Sequence, residues 1–179
     1  MKNIRPYKDK HPKLSDSSYV DPMAVITGDI ELAENTSIWP FVVARGDVNY
    51  IRISKNSNVQ DNSVLHVSRQ SAVNPDGFPL IIGEDVSIGH SCTLHGCTIG
   101  NRVMVGIGAI VLDGVVVEDD VLIAAGTLVP PRKRLESGYL YMGNPAKKAR
   151  PLKESEVSYL NKTASKYVEL KNDYLAGME

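Results

Sequence analysis

The chain has 179 residues, of which 42% are hydrophobic and 23% charged, which predicts a globular protein of one domain. Its formal net charge of −1 gives no electrostatic reason to expect a nucleic acid or an acidic membrane as partner. No apolar run reaches the roughly 18 residues that a bilayer crossing needs, and the start, MKNIRPYKDKHP, lacks the apolar segment of a secretory signal, so we expect a cytoplasmic protein.

Aliphatic and small apolar residues recur every six positions through most of the chain. The series is interrupted after residues 44 and 65 and takes one step of five before Ile99. Its members are Ile26, Leu32, Ile38, Ala44, Ile53, Val59, Leu65, Ile82, Ile88, Leu94, Ile99, Val105, Val111, Val117, Ile123 and Val129. This hexapeptide repeat is the signature of a parallel β-helix.

In such a fold each six residues form a short strand and a turn, and three of them close a triangular coil. Stacked coils pair their backbones about 4.8 Å apart. We therefore predict an all-β architecture of about five coils, with a two-layer β-sandwich as the alternative.

The last part of the chain has helical spacing instead. Apolar residues from Leu152 to Leu175 predict an α-helix that begins near Glu154 and ends at Gly177. We expect residues 1–151 to form the β-helix domain with an N-terminal cap. Residues 152–179 then form a C-terminal helix that packs on the outside of the β-helix.

Two histidines are predicted to stack on neighbouring coils. Counting three sides per coil places Leu94 one coil above Leu65, so His66 and His95, which follow them, should lie about 4.8 Å apart. Two imidazoles at this separation suit a single metal ion, whose bonds to nitrogen are ~2.0–2.1 Å long. His90 lies near another edge, and a side of up to about 20 Å keeps it from the same ion within one chain.

A threefold assembly would bring the three histidines together, because side three of one subunit would face side one of its neighbour. His90 would then complete a site begun by His66 and His95 of the next subunit. Two interpretations need no metal: histidines exposed on a surface, and a stacked pair with one neutral ring.

Further polar residues are predicted to gather around this interface. Arg45 belongs to the column of the stacked histidines and Asp61 to that of His90, each one coil lower, with Asp47 and Gln60 close by in sequence. An intersubunit salt bridge between the arginine and an aspartate and a direct catalytic role both remain open.

Two pairs of residues have structural interpretations. Trp39 and Phe41 follow Ile38 on side three and are candidates for hydrophobic contact between subunits. Cys92 and Cys97 are expected to be reduced and packed in the core.

The order R-G-D, Q-D-x4-H and H-x4-H within a hexapeptide repeat resembles the gamma-class carbonic anhydrase family, in its short bacterial form. The resemblance covers nearly the whole chain. It rests on IWPFVVARGDV, NVQDNSVLHV, IGHSCTLHGCTIGN, VGIGAIVLDG and GNPAK, the last of which many hexapeptide acyltransferases share.

The resemblance implies a left-handed β-helix, a homotrimer and a metal ion at each subunit interface. The ion would be Zn²⁺, with Fe²⁺ or Co²⁺ as alternatives. Its ligands would be His66 and His95 of one subunit and His90 of the next.

The family's other site residues match five further positions. On this basis we expect catalytic roles for Arg45, Gln60 and Asp61, and structural roles at the interface for Asp47 and Asn58. Asn58 matches a family asparagine that lies near the metal-bound water.

One position departs from the family pattern. The prototype enzyme carries a glutamate proton shuttle three residues after the first histidine, where this chain has Arg69. The short loop that follows has Asp76 as its acidic residue, so we expect slow proton export.

The implied activity is carbonate dehydratase, a lyase that reversibly hydrates CO2 to bicarbonate. The metal would lower the pKa of its bound water to about 7, and the resulting hydroxide would attack CO2. Gln60 would orient the nucleophile and Arg45 would hold the bicarbonate. The alternatives are a metal-dependent acyl-CoA thioesterase or acyltransferase-like enzyme, and a metal-bearing trimer with a binding role and little catalytic activity.

Overall fold

The computed structural model describes residues 3–177 and has the predicted all-β architecture, a parallel β-helix of about eight turns with one C-terminal helix. The turns outnumber the five counted from the repeat because strands before Ile26 and after Val129 extend the coil. Ile4 pairs with Ile26, and Tyr19 pairs with Ser37. The irregular spacing of these N-terminal strands hides them from a search at period six. Residues 1, 2, 178 and 179, at the ends of the two predicted domain ranges, lie outside the described residues.

The strands form one twelve-stranded and one eight-stranded sheet. The first contains β1 (Ile4–Arg5), β2 (Lys13–Leu14), β4 (Val25–Leu32), β6 (Val43–Ile53), β8 (Val64–His66), β9 (Leu80–Ile82), β11 (Thr93–His95), β12 (Thr98–Ile99), β14 (Ile110–Val111), β15 (Val116–Val117), β17 (Leu128–Val129) and β18 (Arg134–Leu135). The second contains β3 (Tyr19–Val20), β5 (Ser37–Ile38), β7 (Asn58–Val59), β10 (Ser87–Ile88), β13 (Met104–Val105), β16 (Leu122–Ile123), β19 (Tyr139–Met142) and β20 (Lys147–Pro151).

The two sheets make three faces. The long strands β4 and β6 continue around one corner, so the larger sheet covers two faces, with β8, β11, β14 and β17 on face one and β9, β12, β15 and β18 on face two. The eight-stranded sheet is face three. These pairings are parallel except for that of β19 with β20, which is antiparallel.

The interior is the column of residues that the repeat predicts. All sixteen members of the series are buried in one hydrophobic cluster, together with small or β-branched residues such as Val86, Cys92 and Ala109. Cys92 and Cys97 are both buried and free, as expected. Each inward side chain packs on its equivalents in neighbouring coils, so no single coil is stable alone.

The corner between faces three and one turns through a left-handed residue in five successive coils. Asn62, Ser91, Gly108 and Gly126 have φ of 62°, 58°, 69° and 67°. Small residues and asparagine suit this conformation. In the lowest of these coils the position is occupied by Phe41, at φ 61°.

The helix α1 (Glu154–Ala176) has the predicted bounds and ends at Gly177. It contacts β5 and β10 on face three, with Leu160, Ala164 and also Lys171 buried. None of the helical structure within residues 3–177 has the length and apolarity that a bilayer crossing requires.

Trp39 is buried beneath α1 rather than available to another subunit. Its ring lies 5.6 Å from that of Tyr167 and 5.1 Å from that of Tyr174. The prediction that Trp39 contacts another subunit was therefore wrong, because the helix covers that part of face three. Phe41, its partner in that prediction, stays exposed.

Candidate metal centre

His66 and His95 stack as predicted. They are the last residues of β8 and β11 and are direct partners in the ladder, with ring centroids 5.0 Å apart. The spacing follows from the repeat, because each strand stacks in register on the strand one coil below.

The two rings point nitrogen atoms at each other and bind carboxylates on their outer sides. Nδ1 of His66 lies 3.1 Å from Nε2 of His95. Nε2 of His66 lies 3.0 Å from Oδ1 of Asp47, and Nδ1 of His95 lies 2.7 Å from Oδ1 of Asp113. Ionised carboxylates only accept hydrogen bonds. If both rings are neutral and donate their N–H groups to these carboxylates, the lone pairs of the other two ring nitrogens face each other. A cation between the two nitrogens would relieve the repulsion of these lone pairs.

This gap has the dimensions of a metal site. Two nitrogen ligands of a tetrahedral zinc ion, each ~2.0–2.1 Å from the metal, lie about 3.3 Å apart, close to the 3.1 Å separation of the two rings. Within residues 3–177 of one chain, no three histidine, cysteine, aspartate or glutamate side chains are arranged to hold a metal.

His90 lies at the corner between faces three and one, separate from the stacked pair. Its Nδ1 is 2.9 Å from Oδ2 of Asp61, and its side chain is 44% exposed. The backbone N–H of Ser91 donates to the carbonyl of Asp61, which agrees with the prediction that Asp61 lies one coil below His90 in the same column. Nε2 of His90 has no hydrogen-bond partner among the described residues and remains available.

The other predicted site residues divide between these two places within one chain. Arg45 forms an ion pair with Asp47 beside His66. Gln60 is buried next to Asp61 and donates from Nε2 to Oδ1 of Asn58, at 3.1 Å. One chain therefore carries two clusters of predicted site residues, one around the stacked histidines and one around His90.

Burial and charge shift the pKa values of His66 and Asp47 in the directions that metal binding requires. Burial lowers the pKa of His66, and the charge of Arg45 lowers it further, against the opposing effect of Asp47. Burial acts to raise the pKa of Asp47, but the hydrogen bond from His66 and the charge of Arg45 bring it below its usual value. The ring is therefore held neutral and the carboxylate ionised, as a histidine ligand and its anchor should be.

A cavity of about 440 Å³ opens beside the stacked pair, with Tyr7 and Arg69 among its lining residues. Tyr7 and Asp113 were missed in the sequence. Asp113 could have been found from its place in the turn after β14, one coil above the turn that follows His95. Tyr7 had no such signal, because its segment does not follow the repeat.

Comparison with known proteins agrees with this architecture. Residues 96–131 match the family model described as bacterial transferase hexapeptide (six repeats). The chain is 55% identical to protein YrdA of Escherichia coli over 96% of its own length and 94% of that protein's. It is 38% identical to a carbonic anhydrase of Geobacillus kaustophilus, over 97% and 91% of the two lengths.

A solved structure has the same fold. The hexapeptide transferase family protein of Anaplasma phagocytophilum superposes with a TM-score of 0.88 at 39% identity, covering 96% of this chain and 97% of that one. From the repeat, the stacked histidines and these similarities, the chain belongs to the hexapeptide-repeat family that includes YrdA and the gamma carbonic anhydrases.

Proposed function

We propose that this protein is a homotrimer with one divalent metal ion at each interface, and that it reversibly hydrates CO2 to bicarbonate. The ion is Zn²⁺, with Fe²⁺ or Co²⁺ suited to the same ligands. The observation that carries this proposal is the pair of nitrogen atoms of His66 and His95, 3.1 Å apart between two carboxylates. His90 of a neighbouring subunit is the third ligand.

An exposed apolar edge around His90 supports the trimer. Met23, Phe41, Val64 and Ile107 are 58%, 55%, 42% and 55% exposed, and Gly108, next to Ile107, donates its backbone N–H to the carbonyl of His90. Contiguous exposed apolar side chains mark interaction sites. Phe41 also has left-handed φ, a strained conformation for a bulky residue, and contact with a second subunit accounts for it.

His66 and His95 of one subunit and His90 of the next would hold the divalent ion, whose Lewis acidity would make water a nucleophile near neutral pH. Gln60, held by its bond to Asn58, orients the nucleophile toward CO2. Arg45 holds the anionic product, and Asp47 fixes the position of that guanidinium. Arg69 lines the cavity where the prototype enzyme has a glutamate, and a guanidinium cannot accept the departing proton.

Stopped-flow CO2 hydration on anaerobically purified protein, with metal content and sedimentation measured on the same sample, tests the proposal. We expect a trimer with one metal per chain and activity that a chelator removes. A monomer, or a metal-loaded trimer with no hydration above buffer, would contradict it.

Acyl transfer or thioester hydrolysis is the second candidate. It is favoured by the names of the matched family model and of the Anaplasma protein, which both refer to transferases. Chelator-sensitive turnover of acyl-CoA thioesters without CO2 hydration would select it. Failure of both activities with the metal bound would leave a binding or scaffold role.

A further inference from the structure

We propose that Asp113 is a positioning residue for the candidate metal centre. Its carboxylate accepts a hydrogen bond from Nδ1–H of His95 and thereby leaves Nε2 as the ligand atom. The metal part of this inference rests on the proposed function, whereas the effect on the imidazole does not.

The first argument is the geometry of the contact. Oδ1 of Asp113 lies 2.7 Å from Nδ1 of His95, within the range of a short, charge-assisted bond. The opposite nitrogen of the ring, Nε2, faces His66. A proton held on Nδ1 leaves the Nε2 lone pair free, which is the arrangement that metal-bound histidines need.

The second argument is that the backbone makes room for this carboxylate. Gly96, next to His95, has φ +53°, and a Cβ built there would lie 2.3 Å from Oδ1 of Asp113. A side chain at Gly96 would therefore displace the carboxylate from the ring. The Gly114 N–H donates to the Gly96 carbonyl at 2.7 Å, which ties the two turns together.

The third argument is that the carboxylate has no competing partner. Among residues 3–177, His95 is the one side chain with which Asp113 forms a hydrogen bond or ion pair. The aspartates at the next corner of the coil differ, since Asp119 binds Asn101 and Asp120 binds Arg102. Asp113 thus corresponds to Asp61 beside His90 and Asp47 beside His66, so that each of the three predicted ligand histidines has a carboxylate of its own.

The test compares Asp113→Asn and Asp113→Glu with wild type, using Asp85→Asn as the matched control. Asp85 is also a turn aspartate, and its carboxylate binds Asn56 rather than a histidine. Nitrogen-15 NMR of the imidazoles in the metal-free full-length protein gives the tautomer of His95. Competition with a chromogenic chelator gives the affinity for Zn²⁺.

We expect His95 to carry its proton on Nδ1 in wild type and in Asp113→Glu, and to lose that preference in Asp113→Asn. The affinity of Asp113→Asn for Zn²⁺ should fall by about 10–100-fold, with Asp113→Glu closer to wild type and Asp85→Asn unchanged. An unaltered tautomer in Asp113→Asn overturns the inference, whatever the affinity. A wild-type protein that binds no Zn²⁺ overturns the proposed function instead, and the tautomer still decides the role of Asp113.

Discussion

His66 and His95 are direct partners in a parallel ladder, and their facing nitrogens lie 3.1 Å apart although the residues are 29 positions apart in the chain. Two coils bring them together, and a carboxylate anchors each ring from the outside. The pair therefore gives one chain two facing nitrogen atoms that could serve as metal ligands.

The first prediction concerns His90. His90→Ala should remove the metal from every site, although each chain keeps its stacked pair, because two nitrogen ligands bind a divalent ion far more weakly than three. Metal content after gel filtration measures the loss. His11→Ala, at an exposed position, is the control and should retain the metal. Full occupancy in His90→Ala would rule out shared coordination.

The second prediction concerns the exposed apolar edge. Ile107→Glu places a carboxylate beside His90 in the proposed interface and should weaken each contact by at least about 2 kcal/mol. Sedimentation velocity should show monomers, which lose the metal because the sites are shared. Val73→Glu is the control, since Val73 is 88% exposed on the hairpin after β8. That variant should stay trimeric, and a trimeric Ile107→Glu would place the interface elsewhere.

The third prediction concerns proton transfer. Arg69→Glu should raise the maximal rate of CO2 hydration at low buffer concentration, by up to roughly 100-fold, since a carboxylate can accept the proton that a guanidinium cannot. The wild type should approach this rate as imidazole buffer is added. Arg69→Gln removes the positive charge without adding a base, so it separates the effect of charge removal from the effect of a new proton acceptor. Equal rates for the glutamine and glutamate variants would contradict proton shuttling at this position.

The fourth prediction concerns pH and the start of α1. Hydrogen bonds from Arg150 and from the backbone N–H of Lys153 lower the pKa of Glu156 to about 2. Because this pKa lies below the ordinary value of 4.5, the contacts stabilise the helix above about pH 4.5 and are lost as the pH falls toward 2. Glu156→Gln should lower the unfolding temperature at pH 7. Below pH 4.5 its unfolding temperature should fall less steeply with decreasing pH than that of the wild type.

Thermal unfolding followed by circular dichroism at pH 3, 5 and 7 measures this effect. Glu154→Gln serves as the control, because Glu154 lies in the same first turn of α1 and should keep the wild-type pH dependence. If Glu156 stabilised α1 through the helix dipole alone, Glu156→Gln and Glu154→Gln would have the same pH dependence of the unfolding temperature. Identical profiles for both variants would therefore reject the specific pairing of Glu156 with Arg150.

The period of six by itself determined the β-helix, the inward residues and the stacking of His66 on His95. Each coil repeats the same backbone path, so position along the chain translates directly into position in a column. The bounds of α1 could also be predicted from the local sequence, because the spacing of apolar residues and a terminal glycine define them.

Only the tertiary structure decided what depends on packing between distant segments. The N-terminal strands pair with the coil without following its period, α1 covers Trp39 while leaving Phe41 exposed, and Asp113 reaches back one coil to His95. Side-chain direction at a turn and the docking of a helix are set by which groups fill the remaining space and satisfy the remaining hydrogen bonds. The periodicity of the sequence therefore predicts neither the side-chain direction at a turn nor the face on which the helix docks.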